Sequence, residues 1–204
     1  MKRTGMVMAL AALLWSFGAA AQELEDPSPL ISRTAGSIFD KINGQRDQIR
    51  EKPEIAEEIV RNDLLPLMDI VYSARLILGR DSRQASPEQL QEFADAMNRQ
   101  LISKYAAGLV EFKSKEQIEV LDTKGKINPK ATRVKTRFKL ESGGYALVDY
   151  MFRMTDQGWK VFDVVVEGIS YIVSFQGQIR PEVKAHGLDA VINRLKSGEL
   201  NVSG

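Results

Sequence analysis

The sequence of 204 residues contains no cysteine and a single histidine, His186. Without cysteine the chain has no disulfide and no thiol nucleophile, and one histidine cannot build a zinc site or a Cys/His pair. The P-loop, the GxSxG elbow and the GxGxxG loop are also absent. A Ser-His-Asp arrangement is formally possible but has no local signature. The fold must therefore rely on its core alone, and most catalytic classes are excluded.

Neither sign of charge is in excess, since the sequence has 28 Lys and Arg residues and 27 Asp and Glu residues. This balance argues against nucleic acid as the main partner. A positive N-terminus precedes an apolar run from Met6 to Trp15, and small residues follow at 18–21. The order is typical of a secretory signal peptide. We expect residues 1–21 to be cleaved, leaving a single periplasmic domain of residues 22–204; an uncleaved membrane anchor is the alternative.

Apolar residues at helical spacing predict four helices before the chain changes its pattern. The first begins near Leu30, the second near Pro53, and the third runs from Met68 to Leu78. The sequence Ser86-Pro-Glu-Gln predicts a capping box at the start of the fourth, which runs to about Phe112. The long apolar stripes of these helices are typical of core packing.

An alternating pattern replaces the helical one after Lys113. Four strands are predicted, near Ile118, from Thr132 to Leu140, from Tyr145 to Met154 and from Trp159 to Val166. Short turns join them, which indicates an antiparallel meander. Helices precede and follow the sheet, so the predicted fold class is α+β with one domain.

The stretch from Trp159 to Leu195 carries more apolar surface than one small sheet needs. Its strand is apolar on both faces, and after Gly168 a helix presents Ile172 and Ile179 on one side. We interpret this surplus as the wall of a cavity for an apolar ligand. Ordinary core packing remains the alternative for each residue.

The best candidates for acid–base chemistry are Asp149 and Asp163 on the sheet. A carboxylic acid held in an apolar pocket can transfer protons. Neighbouring strand residues point to opposite faces, so Asp149 and Tyr150 should not share a site. We expect Asp163 to have a structural role instead, capping or pairing at the sheet edge with Arg or Lys. His186, near a helix end, is expected to be a surface residue.

Basic residues alternate with apolar ones along the second predicted strand. We call this set the basic stripe; it comprises Arg133, Lys135, Arg137 and Lys139. Its side chains must point away from the apolar face. The stripe is either a solvated sheet face or a docking surface for a partner or an anionic surface.

Several short motifs carry a resemblance when their order and spacing are taken together. They are Tyr72-Ser-Ala-Arg-Leu-Ile-Leu-Gly79, Ser86-Pro-Glu-Gln89 with Phe93, Tyr105-Ala-Ala-Gly-Leu109, Val148-Asp-Tyr150, Gly158-Trp-Lys-Val-Phe-Asp163, Val166-Glu-Gly-Ile-Ser170 and Gly187-Leu-Asp-Ala-Val-Ile192. In this order they resemble the MlaC, or toluene-tolerance, family of periplasmic phospholipid-binding proteins. The resemblance covers roughly residues 30–196.

The resemblance implies an NTF2-like fold, in which a curved four-stranded antiparallel sheet and helices close an apolar lipid cavity. It implies a carrier and not an enzyme, with phospholipid as bound cargo and no cofactor. The implied partners are an outer-membrane MlaA-type lipoprotein complex and an inner-membrane ABC transporter with an MCE-domain subunit. Such a monomeric carrier would maintain the lipid asymmetry of the outer membrane. An isomerase or hydrolase using a buried Asp, and a periplasmic adaptor without ligand, are the alternatives.

The residues predicted to line the lipid cavity come from the inward strand faces and from the apolar sides of the helices. They are Leu76, Phe93, Met97, Leu101, Tyr105, Val134, Phe138, Val148, Tyr150, Phe152, Val164, Val166, Ile169, Ile172 and Val173. Aliphatic, methionine and aromatic side chains suit a lining that must adapt to different acyl chains.

Overall fold

A computed structural model of the protein describes residues 24–121 and 127–202, with the side chains of Tyr105 and Ala107 left out. The predicted signal peptide and most of the turn before the second strand lie outside this range. The helices are α1 (Ser28–Glu51), α2 (Glu54–Ile59), α3 (Ile70–Leu78), α4 (Pro87–Tyr105), α5 (Tyr171–His186) and α6 (Leu188–Ser197). The strands are β1 (Ile118–Val120), β2 (Thr132–Lys139), β3 (Tyr145–Thr155), β4 (Gly158–Val166) and β5 (Ile169–Ser170). Along the described chain, no helix is both long and apolar enough to cross a membrane.

Side-chain caps fix where the central helices begin. The Ser86 hydroxyl accepts a hydrogen bond from the Gln89 N–H at 3.2 Å, and the Gln89 side chain accepts one from the Ser86 N–H at 3.0 Å. The predicted capping box of α4 is therefore confirmed. Asp69 is the N-cap of α3, and its carboxylate accepts a hydrogen bond from the Tyr72 N–H at 3.1 Å. Gly79 is the C-cap of the same helix, with φ of +63°. Glycine adopts this conformation without the clash that a Cβ would cause.

The chain between α2 and α3 departs from regular helix. Helix α2 passes into a π-helical turn, Val60–Leu64, and then into a 3₁₀ turn, Leu65–Leu67. Pro66 lacks an N–H and its ring crowds the preceding turn, which accounts for the break. Helix α4 is also shorter than predicted, because residues 106–111 continue it as a 3₁₀ segment. Irregular segments thus follow both α2 and α4.

The five strands form one antiparallel sheet in the order β1-β2-β3-β4-β5. The prediction of four strands is wrong, because a short fifth strand follows the turn at Gly168, where φ is +82°. Its Ile169 pairs with Val166, and helix α5 starts only at Tyr171, capped by the Ser170 hydroxyl. A strand of two residues is too short to show alternation in the sequence, so the apolar spacing predicts these residues as the first turn of the helix.

A β-bulge explains why the fourth strand appeared apolar on both faces. Asp163 pairs with Met151, but the next pair is Val161 with Phe152, so Phe162 is an extra residue. An extra residue shifts the alternation by one position. Val161 and Val164 therefore point to the same, inner face of the sheet even though they are three residues apart.

The buried apolar side chains form three clusters. The helical cluster joins α3, α4, α5 and α6 and includes Phe93 and Ile179. The second cluster joins α1, α2 and the segment after α4, with Ile42 at its centre. The sheet cluster includes Val134 and Phe152. The space between these clusters is where the candidate site lies.

Candidate functional site

A cavity of about 420 Å³ lies where the three clusters face one another. This volume is within the range of about 300–1,000 Å³ that is common for ligand pockets. The lining residues are Val60, Leu64, Leu65, Met68, Ile70, Ser73, Ala74, Ile77, Phe93, Ala94, Met97, Asn98, Leu101, Ile102, Ala106, Leu109, Tyr150, Phe162, Asp163, Val164, Val166, Tyr171, Ile172 and Phe175. The walls are therefore α3, α4, α5, the irregular segments and the inner face of β3 and β4.

The lining is almost wholly apolar. Its polar side chains are Ser73, Asn98, Tyr150, Asp163 and Tyr171, and among the described lining residues there is no Lys, Arg or His. An anion inside such walls would lose its hydration without gaining a counter-charge, which is strongly unfavourable. The cavity is thus suited to hydrocarbon and not to an anionic group.

The carboxylate of Asp163 holds the start of α5. It accepts hydrogen bonds from the Ser170 hydroxyl at 2.6 Å and from the Ile172 N–H at 3.1 Å. A negative charge at a helix N-terminus interacts favourably with the unpaired N–H groups there. Of the two expected structural roles, capping or pairing with Arg or Lys, this geometry shows capping.

Ser73 is also engaged with the backbone of the wall. Its hydroxyl lies 2.6 Å from the carbonyl oxygen of Phe162 and 2.9 Å from that of Asp69. This contact ties α3 to the bulge in β4. Together with Asp163, it fixes the relative positions of the sheet and the two helices that close over it.

Seven of the residues predicted from the sequence lie in the cavity wall. They are Phe93, Met97, Leu101, Tyr150, Val164, Val166 and Ile172. Phe93, Met97 and Leu101 come from one stripe of α4, Ile172 comes from α5, and the strand members lie on the inner face of β3 and β4. Whether they touch a ligand remains a prediction.

Other predicted lining residues are core residues of the fold. Val134 and Phe152 are fully buried in the sheet cluster, where Leu24, Leu30 and Ile31 cover them. The N-terminal segment packs on this cluster, so the structure places Val134 and Phe152 outside the cavity lining, and their contact with a ligand stays a prediction. Other predicted residues also lie outside the lining: Phe138, which packs on Phe112; Leu76, which packs on the helical cluster; and Val148, which is partly buried. The Tyr105 side chain lies outside the described atoms.

Ile169 and Val173 do not line the cavity either, since they are 65% and 63% exposed. Ile169 lies on the edge strand β5, and Val173 lies on the outer side of α5, whose inner side carries Ile172. Tyr145 and Leu147 on β3 are similarly exposed. We call these four residues the apolar rim.

Two hydrogen bonds join Leu147 on β3 to Glu167, in the turn before Ile169. The Leu147 N–H donates to the Glu167 carboxylate at 2.6 Å, and the Glu167 N–H donates to the Leu147 carbonyl oxygen at 2.9 Å. Ile169 pairs with Val166, which lines the cavity. Ile169 of the apolar rim therefore adjoins one wall of the cavity.

The segment between α2 and α3 is the part of the wall that sequence reasoning missed. Val60, Leu64, Leu65 and Met68 all line the cavity. Their spacing of about four residues, next to a polar run at 61–63, is the signal that could have identified an apolar side. An ion pair of 2.6 Å between Lys41 and Asp63 joins this segment to α1.

The basic stripe is on the outer sheet face, away from the cavity. Arg137 pairs with Glu119 at 2.7 Å, and Arg133 lies 3.7 Å from Asp149. Asp149 and Tyr150 point to opposite faces, as predicted. His186 is half exposed near Glu182, in keeping with a surface role. The basic stripe, Asp149 and His186 are not among the cavity-lining residues.

Comparison with known proteins gives a consistent result. The family model described as "MlaC protein" matches residues 32–197. The intermembrane phospholipid transport system binding protein MlaC of Haemophilus influenzae is 27% identical over 92% of this chain and 89% of its own length. The toluene tolerance protein ttg2D of Pseudomonas putida is 24% identical over 92% of this chain and 85% of its own length.

A solved structure shares the fold. It is the phospholipid-binding protein from Ralstonia solanacearum in complex with a phospholipid, with a TM-score of 0.75 and 20% identity. The match covers 85% of this chain and 96% of that one. At this identity the likeness shows the arrangement of helices and sheet.

Proposed function

Since the family model spans most of its length, the chain belongs to the MlaC family, and we propose that it carries phospholipid across the periplasm between the outer and inner membranes. The single observation that carries this proposal is the apolar cavity between the three buried clusters. The names of the relatives support it, since one is a phospholipid transport binding protein and a structural neighbour holds a phospholipid.

The energetics of acyl chains explain why such a cavity suits a carrier. Each buried methylene is worth about 0.8 kcal/mol, so a chain of about 16 carbons costs ~13 kcal/mol to expose to water. A carrier must cover the chains and still release them. Walls about as apolar as a bilayer make transfer between the two nearly neutral, so direction must come from the partners.

The partners we propose are an MlaA-type lipoprotein complex at the outer membrane and an MCE-domain ABC transporter at the inner membrane. The apolar rim supports such docking, because exposed large apolar side chains at one edge commonly mark interaction surfaces. The proposal also includes export of the chain by the predicted signal peptide. In this proposal the exported domain is monomeric and NTF2-like, and it maintains the lipid asymmetry of the outer membrane.

Two competing functions gain no support from the site. An isomerase or hydrolase would need a free acid, and Asp163 is hydrogen-bonded to the start of α5. An adaptor with a solid core would not need the cavity between the clusters. If Asp163→Asn abolished a measured turnover without loosening α5, the enzyme hypothesis would be favoured over the carrier.

The test is extraction of lipid from the purified mature protein, followed by mass spectrometry. We expect phospholipid in stoichiometric amount when the protein is isolated from a host with membranes. A matched control is the Val134→Thr variant, which changes the sheet cluster and not the lining. Absence of phospholipid from the folded wild-type protein, even after incubation with vesicles, would contradict the proposal.

A further inference from the structure

Tyr150 is a polar residue of the cavity lining, and its hydroxyl takes part in none of the contacts described above. It lies in the middle of β3, between Val134 and Val164, with its side chain among the lining residues. In the described part of the chain its hydroxyl makes no hydrogen bond. By contrast, the Ser73 hydroxyl and the Asn98 amide bond to backbone carbonyls.

The Tyr150 oxygen is open to the cavity. Among the described residues, every side-chain nitrogen or oxygen that is sealed inside protein has a hydrogen-bond partner. An unpartnered oxygen on the inner sheet face must therefore have free space beside it, and the cavity supplies that space. Burial raises the pKa of the Tyr150 hydroxyl to about 12. At neutral pH the group is an uncharged O–H donor.

The walls decide which acceptor this donor can meet. A phosphate or a carboxylate is disfavoured, because no described lining residue is cationic and Asp163 contributes a carboxylate. An acyl chain offers no acceptor along its length. The acceptor of a diacyl lipid that is both neutral and close to the chains is the ester carbonyl.

We propose that the Tyr150 hydroxyl donates a hydrogen bond to an ester carbonyl of the bound lipid and makes the cavity prefer ester-linked over ether-linked lipids. The inference rests on the proposed carrier function and adds a specificity to it. A buried donor that loses its partner carries a desolvation penalty, so an ether lipid leaves the hydroxyl unsatisfied. Tyr150 is in this sense a specificity residue.

The experiment is a competition between two lipids that differ only in the linkage. Lipid-free protein is mixed with vesicles holding equal amounts of diacyl phosphatidylethanolamine and its dialkyl-ether counterpart, and the bound lipids are measured by mass spectrometry. We expect the wild type to prefer the ester by about three- to tenfold, as one hydrogen bond allows. Tyr150→Phe should bind both equally. Tyr72→Phe, which alters a tyrosine outside the lining, should keep the preference.

The outcomes separate the inference from the function beneath it. Equal binding of the two lipids by the wild type overturns the inference and leaves the carrier function intact, and so does an ester preference that persists in Tyr150→Phe. Failure of every protein to take up either lipid counts against the carrier function itself.

An infrared measurement keeps the proposal testable if Tyr150→Phe folds poorly. The wild type is loaded with diacyl lipid labelled with ¹³C at the ester carbonyls. A hydrogen-bonded ester absorbs at lower frequency than a free one, so a shifted carbonyl band is expected. A band unchanged from that of the lipid in an apolar solvent would overturn the inference.

Discussion

Replacing Val164 by glutamate should remove bound phospholipid at neutral pH and restore part of it in acid. Val164 lies on β4 opposite Tyr150 and is part of the cavity wall. In the empty cavity the introduced carboxylate can be hydrated. When acyl chains fill the cavity, that hydration is lost and the group must be neutralised by taking up a proton.

The size of the effect follows from the cost of that proton. A glutamate has an unperturbed pKa of about 4.3, so protonating it at pH 7 costs 1.36 kcal/mol for each of roughly 2.7 pH units, or about 4 kcal/mol. This corresponds to a loss of affinity of roughly 500-fold. At pH 5 the same step costs only about 1 kcal/mol, so most of the affinity should return.

The assay is the amount of lipid retained per folded protein at pH 7 and at pH 5, with circular dichroism to confirm folding. Val173→Glu is the matched control, because the same substitution is made at a position that is 63% exposed and outside the lining. Its lipid content should equal that of the wild type at both pH values. Wild-type retention by Val164→Glu at pH 7, or a loss that does not respond to pH, would refute the reasoning.

Three further predictions concern stability, each measured by urea unfolding. Phe152→Ala should cost about 3–5 kcal/mol, because Phe152 is 2% exposed at the centre of the sheet cluster; a cost under ~1 kcal/mol would show that this cluster is not a core. Ser86→Ala should cost about 1 kcal/mol by removing one half of the capping box of α4, with Ser103→Ala at an exposed position of the same helix as the comparison. Burial raises the pKa of Tyr150 from 10.0 to about 12, so this residue should lower wild-type stability by roughly 2 kcal/mol as pH rises from 10 to 12, and Tyr150→Phe should lack that part of the loss.

Features set by neighbouring residues could be predicted from the sequence. The capping box at Ser86 and the end of α3 at Gly79 depend on a few adjacent positions, and both are confirmed. The alternation in β2 was equally clear, because one face is buried and the other carries the basic stripe. Local chemistry and a single buried face are sufficient for such predictions.

Features set by distant residues could not be predicted. The bulge at Phe162 depends on how β4 pairs with β3, and the strand β5 depends on the turn at Gly168 folding back. Core and cavity wall also use the same residue types. Val134 and Val164 both lie opposite Tyr150, on the two strands that flank β3, yet the first packs with the N-terminal segment and the second faces the cavity. No periodicity distinguishes the two environments.

The three-cluster arrangement accounts for how the fold can contain a cavity at all. A void inside a single continuous core would cost stability by removing contacts from every side. Here each cluster is packed within itself, and the wall between α2 and α3, residues 60–67, contributes no fully buried residue. The stability of the fold is therefore separate from the filling of the cavity. That separation is what a carrier requires, because it must remain folded both before it takes up its ligand and after it releases it.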